Sequence, residues 1–410
     1  MSNNLKKWLP WIGVAAVAVV VILIIAVNSG GDDMAAETTT TTTQAPETKP
    51  EPGPLGAVEI APGEDIQIRS LQAISGDVAF LGVPNQRGIE LAVKDYGPIK
   101  GHDVSLGTPL DDLCSAEGGQ AAGQIIASDD KVIGTIGTSC SGAATGAMPL
   151  ISQSGGVMIS PSNTSPALTS DLEGTAGENY SPGYYRTAHN DLFQGAAVAE
   201  FVFNDLGLTK AAAIHDGDPY TNGLATAFKN AFEALGGEVV AFTAVNKGDT
   251  DMTGVLTEVA AKSPEVLYFP IFMPEGGFIA QQAGAIAGFE NVTMIAADGL
   301  LVDNFMELKE TEGMYFSGPN LDYGNNASEI GTTAADFLAA YDAEYGEAPS
   351  APFWAHSYDA TILLLSAIDA VAVELADGSL FIDRQALRDL PQDYDSANDA
   401  ADSFPVMPDA

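Results

Sequence analysis

Residues 133–164 read IGTIGTSCSGAATGAMPLISQSGGVMISPSNT. Positions 133–136 are an apolar, β-branched run, and Gly137-Thr138-Ser139-Cys140-Ser141-Gly142 breaks it. Residues 143–154 suit a helix, 157–160 a second short strand, and Pro161-Ser162-Asn163-Thr164 ends that strand. Strand, Gly/Ser turn, helix, strand and Ser/Asn/Thr turn describe two parallel strands whose ends share one sheet edge. In open α/β sheets the carboxyl edge is where ligands bind. Backbone N–H groups at a helix start favour an anionic group such as a carboxylate. The same composition also suits ordinary connecting turns.

Working outward, 410 residues exceed one typical domain, so two lobes are expected. A 46% share of hydrophobic residues is ample for packed cores. The formal charge of −39 argues against nucleic acid or anionic membrane surfaces as partners. It is also what a solubilising surface looks like. The two cysteines, Cys114 and Cys140, are compatible with a disulfide, a redox pair or two buried thiols. Neither a CxxC nor a zinc pattern is present, and export favours the disulfide.

Lys6 and Lys7 precede residues 8–27, twenty residues without a charge. That length spans a bilayer, and the lysines orient the N-terminus inward with the rest exported. No cysteine directly follows, which excludes a lipid anchor, and Ala26-Val27-Asn28 is a poor cleavage site. An uncleaved anchor is expected over a cleaved signal. Residues 28–63 hold six consecutive threonines, 38–43, and several prolines, which predicts an extended, disordered stalk.

From Asp65 onward strands and helices alternate. Strands are expected at 66–74, 102–110, 133–136, 157–160 and 184–186, with helices at 84–96, 117–128 and 143–154. The pattern restarts with helices at 192–206, 221–235, 252–261 and 278–287 and strands at 211–215, 239–242, 266–271, 292–296 and 314–316. Two long helices follow, 334–345 and 356–375. Such alternation indicates parallel sheets with helices on both faces. Two runs of it make two α/β lobes with a cleft between them.

Enzyme signatures are missing. There is no GxxxxGK[ST], HExxH or GxGxxG, and Gly137-Thr138-Ser139-Cys140-Ser141 has serine where the hydrolase elbow needs its second glycine. His102, His189, His215 and His356 are not at ligand spacing from one another. What remains is a binding inventory at strand ends: Ser141 and Thr164 as donors, then Tyr220, Phe272 and Asp298. A carboxylate facing carboxylate-binding donors suits a zwitterion, with Asp298 pairing to an ammonium. Each residue also has a plainer role, since Asp-Gly is a common turn, aromatics fill cores and Ser141 suits a helix cap.

The order and spacing of several stretches resemble the branched-chain amino acid (leucine/isoleucine/valine) substrate-binding proteins of ABC transporters, with the type I periplasmic binding fold. These stretches are Ala73-Ile74-Ser75-Gly76, Gly88-Ile89-Glu90-Leu91-Ala92-Val93, Asp111-Asp112-Leu113-Cys114, Ile136 to Ser141, Ile159 to Pro166, Tyr185-Arg186-Thr187 and Tyr220-Thr221-Asn222-Gly223. The resemblance covers about residues 66–382. It implies two Rossmann-like lobes closing over a ligand, with three crossover segments as hinge. It further implies that the Ser141 turn and the Ser162/Thr164 turn take the ligand α-carboxylate and part of the ammonium. Tyr220 and Asp298 would complete the ammonium site on closure, while Leu81, Phe272 and Trp354 would line the side-chain pocket. A disulfide matching Cys114 and Cys140 is implied as well. Asp298 stands where glutamate is usual, Phe272 where tyrosine is frequent, and Leu81 where an aromatic is common.

The resulting expectation is a membrane-tethered, extracytoplasmic solute-binding protein. It would capture a small amino acid or amide-like solute and deliver it to an ABC permease, as a monomer, without cofactor, metal or catalysis. A ligand-sensing ectodomain and a hydrolase or amidase are the alternatives. Expected boundaries are 1–7 cytoplasmic, 8–27 anchor, 28–63 linker, 64–186 with 319–390 as lobe 1, 187–318 as lobe 2, and 391–410 an acidic tail.

Overall fold

A computed structural model describes residues 49–324 and 326–395. The expected cytoplasmic segment, anchor and threonine run lie outside these residues. Among the described residues no helix is long and apolar enough to cross a membrane.

The first run contains β1 (Ala57–Ile60), β2 (Ile66–Gln72), α1 (Ala79–Tyr96), β3 (Val104–Ser105), β4 (Leu110–Asp111), α2 (Ala116–Ser128), β5 (Val132–Gly137), α3 (Ser141–Gln153), β6 (Val157–Ser160) and β7 (Tyr184–Arg186). The second contains α4 (Asp191–Glu200), β8 (Lys210–His215), α5 (Pro219–Ala234), β9 (Glu238–Ala244), α6 (Thr253–Ala260), β10 (Val266–Tyr268), α7 (Glu275–Ala283), β11 (Thr293–Ala296), α8 (Asp303–Met306) and β12 (Tyr315–Phe316). The chain then forms α9 (Ala334–Tyr345), α10 (Trp354–Val371), β13 (Val373–Glu374), β14 (Leu380–Asp383) and α11 (Arg384–Asp395).

Two parallel sheets organise these elements. One has the order β3-β2-β5-β6-β7, with β4 also pairing β2. The other has the order β12-β11-β10-β8-β9. In each, strand order reverses once, between β2 and β5 and between β8 and β10. A reversal splays the following loops apart and leaves a crevice at the carboxyl edge. All six residues of β5 and all three of β10 are buried, as parallel strands covered on both faces must be. α2 and α3 pack so closely that a side chain at Gly119 or Gly146 would strike the partner helix backbone at 2.0 Å. That contact accounts for the glycine and alanine content of both helices.

Ile66, Ile68, Ile136, Ile159 and Leu364 share one apolar core, and Phe228, Phe232, Tyr268 and Phe269 belong to the core of the second sheet. α10 packs on α1, β5 and β6, so the chain returns to the first lobe after building the second. The passage to the second sheet follows β7, and the return follows β12.

Several expectations need correction. The expected linker ends earlier than residue 63: Val58 and Ile60 are buried on β1, which pairs antiparallel with β14 from Ala57↔Asp383 to Ile60↔Leu380. The alternation Val-Glu-Ile fits a half-buried strand, but its partner lies over 300 residues away. The single strand expected at 102–110 is two short strands, because β3 and β4 pair β2 at different points around Gly107. The helix expected at 192–206 is α4 followed by a wider turn, Phe201–Asp205. The expected acidic tail begins inside α11, whose base is tied down: Arg384 donates to the carbonyls of Val132 and Asp130 at 3.0 and 2.7 Å.

Candidate functional site

The loops after β2, β5 and β6 form one wall of a cleft. Gln72 Nε2 donates to the Ile136 carbonyl at 3.1 Å, and its Oε1 accepts from Ser139 Oγ at 2.8 Å. Ser139 Oγ in turn accepts from the Ala73 N–H at 3.0 Å. Ser160 Oγ and Asn163 Nδ2 both donate to the Thr138 carbonyl at 2.9 Å. Ser162 Oγ donates to the Ser139 carbonyl at 2.9 Å. Small hydroxyl and amide residues are needed here because each closes a hydrogen bond with a strand-end backbone group, which burial would otherwise leave unpaired.

Beneath this wall Cys114 and Cys140 form a disulfide with Cα atoms 5.0 Å apart. Asp112 braces it by accepting from the N–H groups of Cys114 and Ser139, each at 2.7 Å. Burial nevertheless pushes the Asp112 carboxyl up to about 7. Ser141 starts α3, buried, and its Oγ accepts from the Ser165 N–H at 3.3 Å.

The opposite wall comes from loops after β8, β10 and β11. Asp218 caps α5, taking the Tyr220 N–H at 2.9 Å. This orients Tyr220, whose hydroxyl donates to Asp298 Oδ1 at 3.1 Å and accepts from the Gly299 N–H at 3.1 Å. The Tyr220 ring packs on Phe272 with centroids 5.0 Å apart. Gln194 Nε2 donates to Asp298 Oδ1 at 2.7 Å, and its Oε1 meets His189 Nε2.

Burial raises the Asp298 carboxyl above the usual aspartate range, against the pull of His189, Gln194 and Tyr220. Burial lowers the His189 imidazole, against the opposing pull of Asp298 and Gln194. Asp191, buried with both carboxylate oxygens unpaired among the described residues, is held well above the ordinary range by desolvation and by Asp298. Among the described residues no group of three or more His, Cys, Asp or Glu is placed to hold a metal.

A cavity lies between the two walls, lined by Leu81, Asn85, Ser139, Ser141, Ser162, Phe353, Tyr220, Phe272, Asp298 and Gly299. Six expected residues therefore meet around one space: Ser141, Ser162, Tyr220, Asp298, Phe272 and Leu81. Two do not line it. Thr164 lies behind the wall, fully buried, with its carbonyl accepting the Asp191 N–H at 3.0 Å and its hydroxyl facing the Asp191 carboxylate. Trp354 stacks on Phe337 at 4.6 Å and meets Tyr323 edge-on at 5.3 Å. Its predecessor Phe353 lines the cavity instead, since adjacent residues at a helix start point about 100° apart. Asn85, Ser139, Gly299, Gln194 and His189 escaped sequence reasoning. Of these only Ser139 carries a local signal, as part of the strand-end turn.

The walls are already in contact. Lys247 of the second lobe donates to the Cys114 carbonyl at 3.1 Å and pairs with Asp218 Oδ2 at 3.3 Å. Ser165 Oγ donates to the Pro219 carbonyl at 3.2 Å. Uncharged donors face a buried carboxylate across a closed cleft, a geometry suited to binding a small zwitterion.

Two parallel-sheet lobes with a cavity between their carboxyl edges define a solute-binding protein of the type I periplasmic binding fold. The chain belongs to the periplasmic binding protein family, whose model matches residues 65–404. It is 29% identical to the Leu/Ile/Val-binding protein BraC3 of Rhizobium johnstonii over 327 residues, 77% of this chain and 84% of that one. It is also 29% identical to an amino acid binding protein of Pseudomonas aeruginosa, covering 61% of this chain and 64% of that relative's length. Among solved structures, a leucine binding protein LivK of Thermotoga maritima superposes with a TM-score of 0.66 at 25% identity, covering 79% of this chain and 86% of that one. The substrate-binding protein LivJ of Streptococcus pneumoniae, in complex with isoleucine, gives 0.64 at 25% identity, covering 79% and 87%. The resemblance to branched-chain amino acid binding proteins therefore holds over most of the chain. Family membership implies a location outside the cytoplasm.

Proposed function

We propose that this chain captures an amino acid or a closely related zwitterion by lobe closure and delivers it to the permease of an ABC transporter. One observation carries the reading: Asp298 and Tyr220 of one lobe face Ser141 and Ser162 of the other across a single cavity. Ser141, at the start of α3, takes the α-carboxylate, where helix N–H groups add to the attraction, and Ser162, whose proton goes to the Ser139 carbonyl, borders the cavity as a neutral wall group. Asp298, oriented by Tyr220 and Gln194, takes the ammonium in a charge-assisted hydrogen bond. Leu81, Phe272 and Phe353 surround part of the side chain. Thr164 acts from behind by holding Asp191 and the hinge. Contacts from both lobes favour the closed state, so binding drives closure. No bond is made or broken.

The lobe limits proposed are 57–186 with 319–395, and 187–318, with β1 and α11 belonging to the first lobe. Residues 8–27 are read as the tether, on the strength of their uncharged length and the two preceding lysines. Calorimetry of the full-length chain in detergent against the twenty amino acids, simple amides and urea tests the binding reading. Saturable binding of at least one amino acid is expected, and heat from none of these solutes would remove it. Recovery in a salt-washed membrane fraction tests the tether.

A further inference from the structure

Asn85 is buried on α1 at 1% exposure and borders the cavity. Its amide has only one orientation compatible with its surroundings. Gln72 gives its own N–H to the Ile136 carbonyl, so it presents Oε1 to its neighbours. Asn85 must therefore turn its NH₂ toward Gln72, at 3.3 Å, and toward Ser162 Oγ, at 3.4 Å. The Asn85 side-chain carbonyl remains, and no described group donates to it. The adjoining hydroxyls cannot supply the donor. Ser139 gives its proton to Gln72 and Ser162 gives its proton to the Ser139 carbonyl. A buried amide carbonyl without a donor is costly. Asn85 lines the cavity, which makes a bound ligand the candidate donor.

Leu81 precedes Asn85 by one helical turn and so shares its face of α1. The wall these two begin continues through Ser139 and Ser162 and is polar over most of its length. An aliphatic side chain lying there would bury the carbonyl without pairing it. We propose that Asn85 is a specificity residue whose carbonyl accepts a hydrogen bond from the ligand side chain. The site then prefers amino acids bearing a neutral hydroxyl or carboxamide donor over branched aliphatic ones of equal volume. This rests on the amino acid reading above and narrows it.

Pairs matched in heavy-atom shape test it on the full-length chain by calorimetry: threonine against valine, and asparagine against leucine. The donor-bearing member of at least one pair should bind about tenfold or more tightly, the effect of leaving one buried acceptor unpaired. Asn85→Leu should erase or invert that preference. Tighter binding of valine and leucine by the unaltered chain overturns the proposal and spares the amino acid reading. So does equal weakening of all four ligands in folded Asn85→Leu, which would assign the carbonyl to the common α-ammonium. So does binding confined to other amino acids. Binding of no amino acid removes both. Should Asn85→Leu fail to fold, the pairs measured on the unaltered chain decide alone.

Discussion

On the first lobe's wall, Thr138, Ser139, Ser160, Ser162 and Asn163 are neutral and closed among themselves and the strand-end backbone. On the second lobe's wall burial shifts the titratable groups: Asp298 and Asp191 are raised, and His189 is lowered against the pull of Asp298 and Gln194. One side is a frame of neutral groups braced from beneath by Asp112, whose carboxyl burial pushes up to about 7. The other stores a buried carboxylate that becomes favourable only when a cation arrives to pair with it. A ligand carboxylate thus meets a prepared surface, while a ligand ammonium resolves an existing electrostatic cost.

Breaking the frame itself should produce the largest effect. Replacing Cys114 and Cys140 together by serine should destabilise the fold by about 2–4 kcal/mol, read from urea unfolding. Ligand affinity of the folded fraction should change less than stability does, because Gln72 and Asp112 still hold Ser139. Equal stability with lost binding would mean that the disulfide shapes the site rather than the frame.

The charged wall is tested next. Asp298→Ala should weaken an amine-bearing ligand by about 1.5–3 kcal/mol in calorimetry, the range for hydrogen bonds to charged groups. Unchanged affinity would remove Asp298 from the site. The pH dependence has a definite sign. Binding an ammonium requires ionised Asp298, whose raised pKa means that protons return at a higher pH than the ~3.9 of an ordinary aspartate. Affinity should therefore fall on acidification at a higher pH than an ordinary aspartate would impose, and Asp298→Asn should flatten that profile.

Closure joins the two walls where Asp218 approaches the start of α3. A methyl group at Gly142 would lie 2.2 Å from Asp218 Oδ2, on a carboxylate held by Lys247 at Oδ2 and by the Tyr220 N–H at Oδ1. Gly142→Ala should cost about 1–3 kcal/mol of ligand affinity, the range for overpacking. Wild-type affinity would show that closure does not need this approach. The smallest effect belongs to the neutral wall: Ser141→Ala should lose about 0.5–1.5 kcal/mol, one ordinary hydrogen bond. Its pH profile should keep the shape of the unaltered chain, and a changed profile would mean that the walls are electrostatically coupled.

Much of the fold is legible along the chain because its determinants are local. The apolar run of β5, the Gly/Ser turn after it and the following helix announce themselves within 32 residues, and the same alternation marks the second lobe. Strand-end residues such as Ser141, Tyr220, Phe272 and Asp298 follow from that pattern, since parallel strands deliver their loops to one edge. Partners set by distant pairing are not legible. Gln194 reaches Asp298 across 104 positions. Asn85 sits mid-helix with nothing nearby in sequence to mark it, and its open carbonyl exists only because Gln72 is oriented by Ile136. Phe353 and Trp354 are equally aromatic, and only the start of α10 decides which one turns inward.

The opening stretch, residues 133–164, thus determined by itself that two parallel strands would end in hydroxyl-rich turns. Hydrophobic period and turn chemistry act over a few residues, and these were enough. The tertiary structure decided what the turns face. It placed Asp298 opposite Ser141, moved Thr164 behind the wall, exchanged Trp354 for Phe353 and left the Asn85 carbonyl open. Those outcomes depend on how two sheets meet, and burial and hydrogen-bond closure between segments far apart in the chain have no local signature.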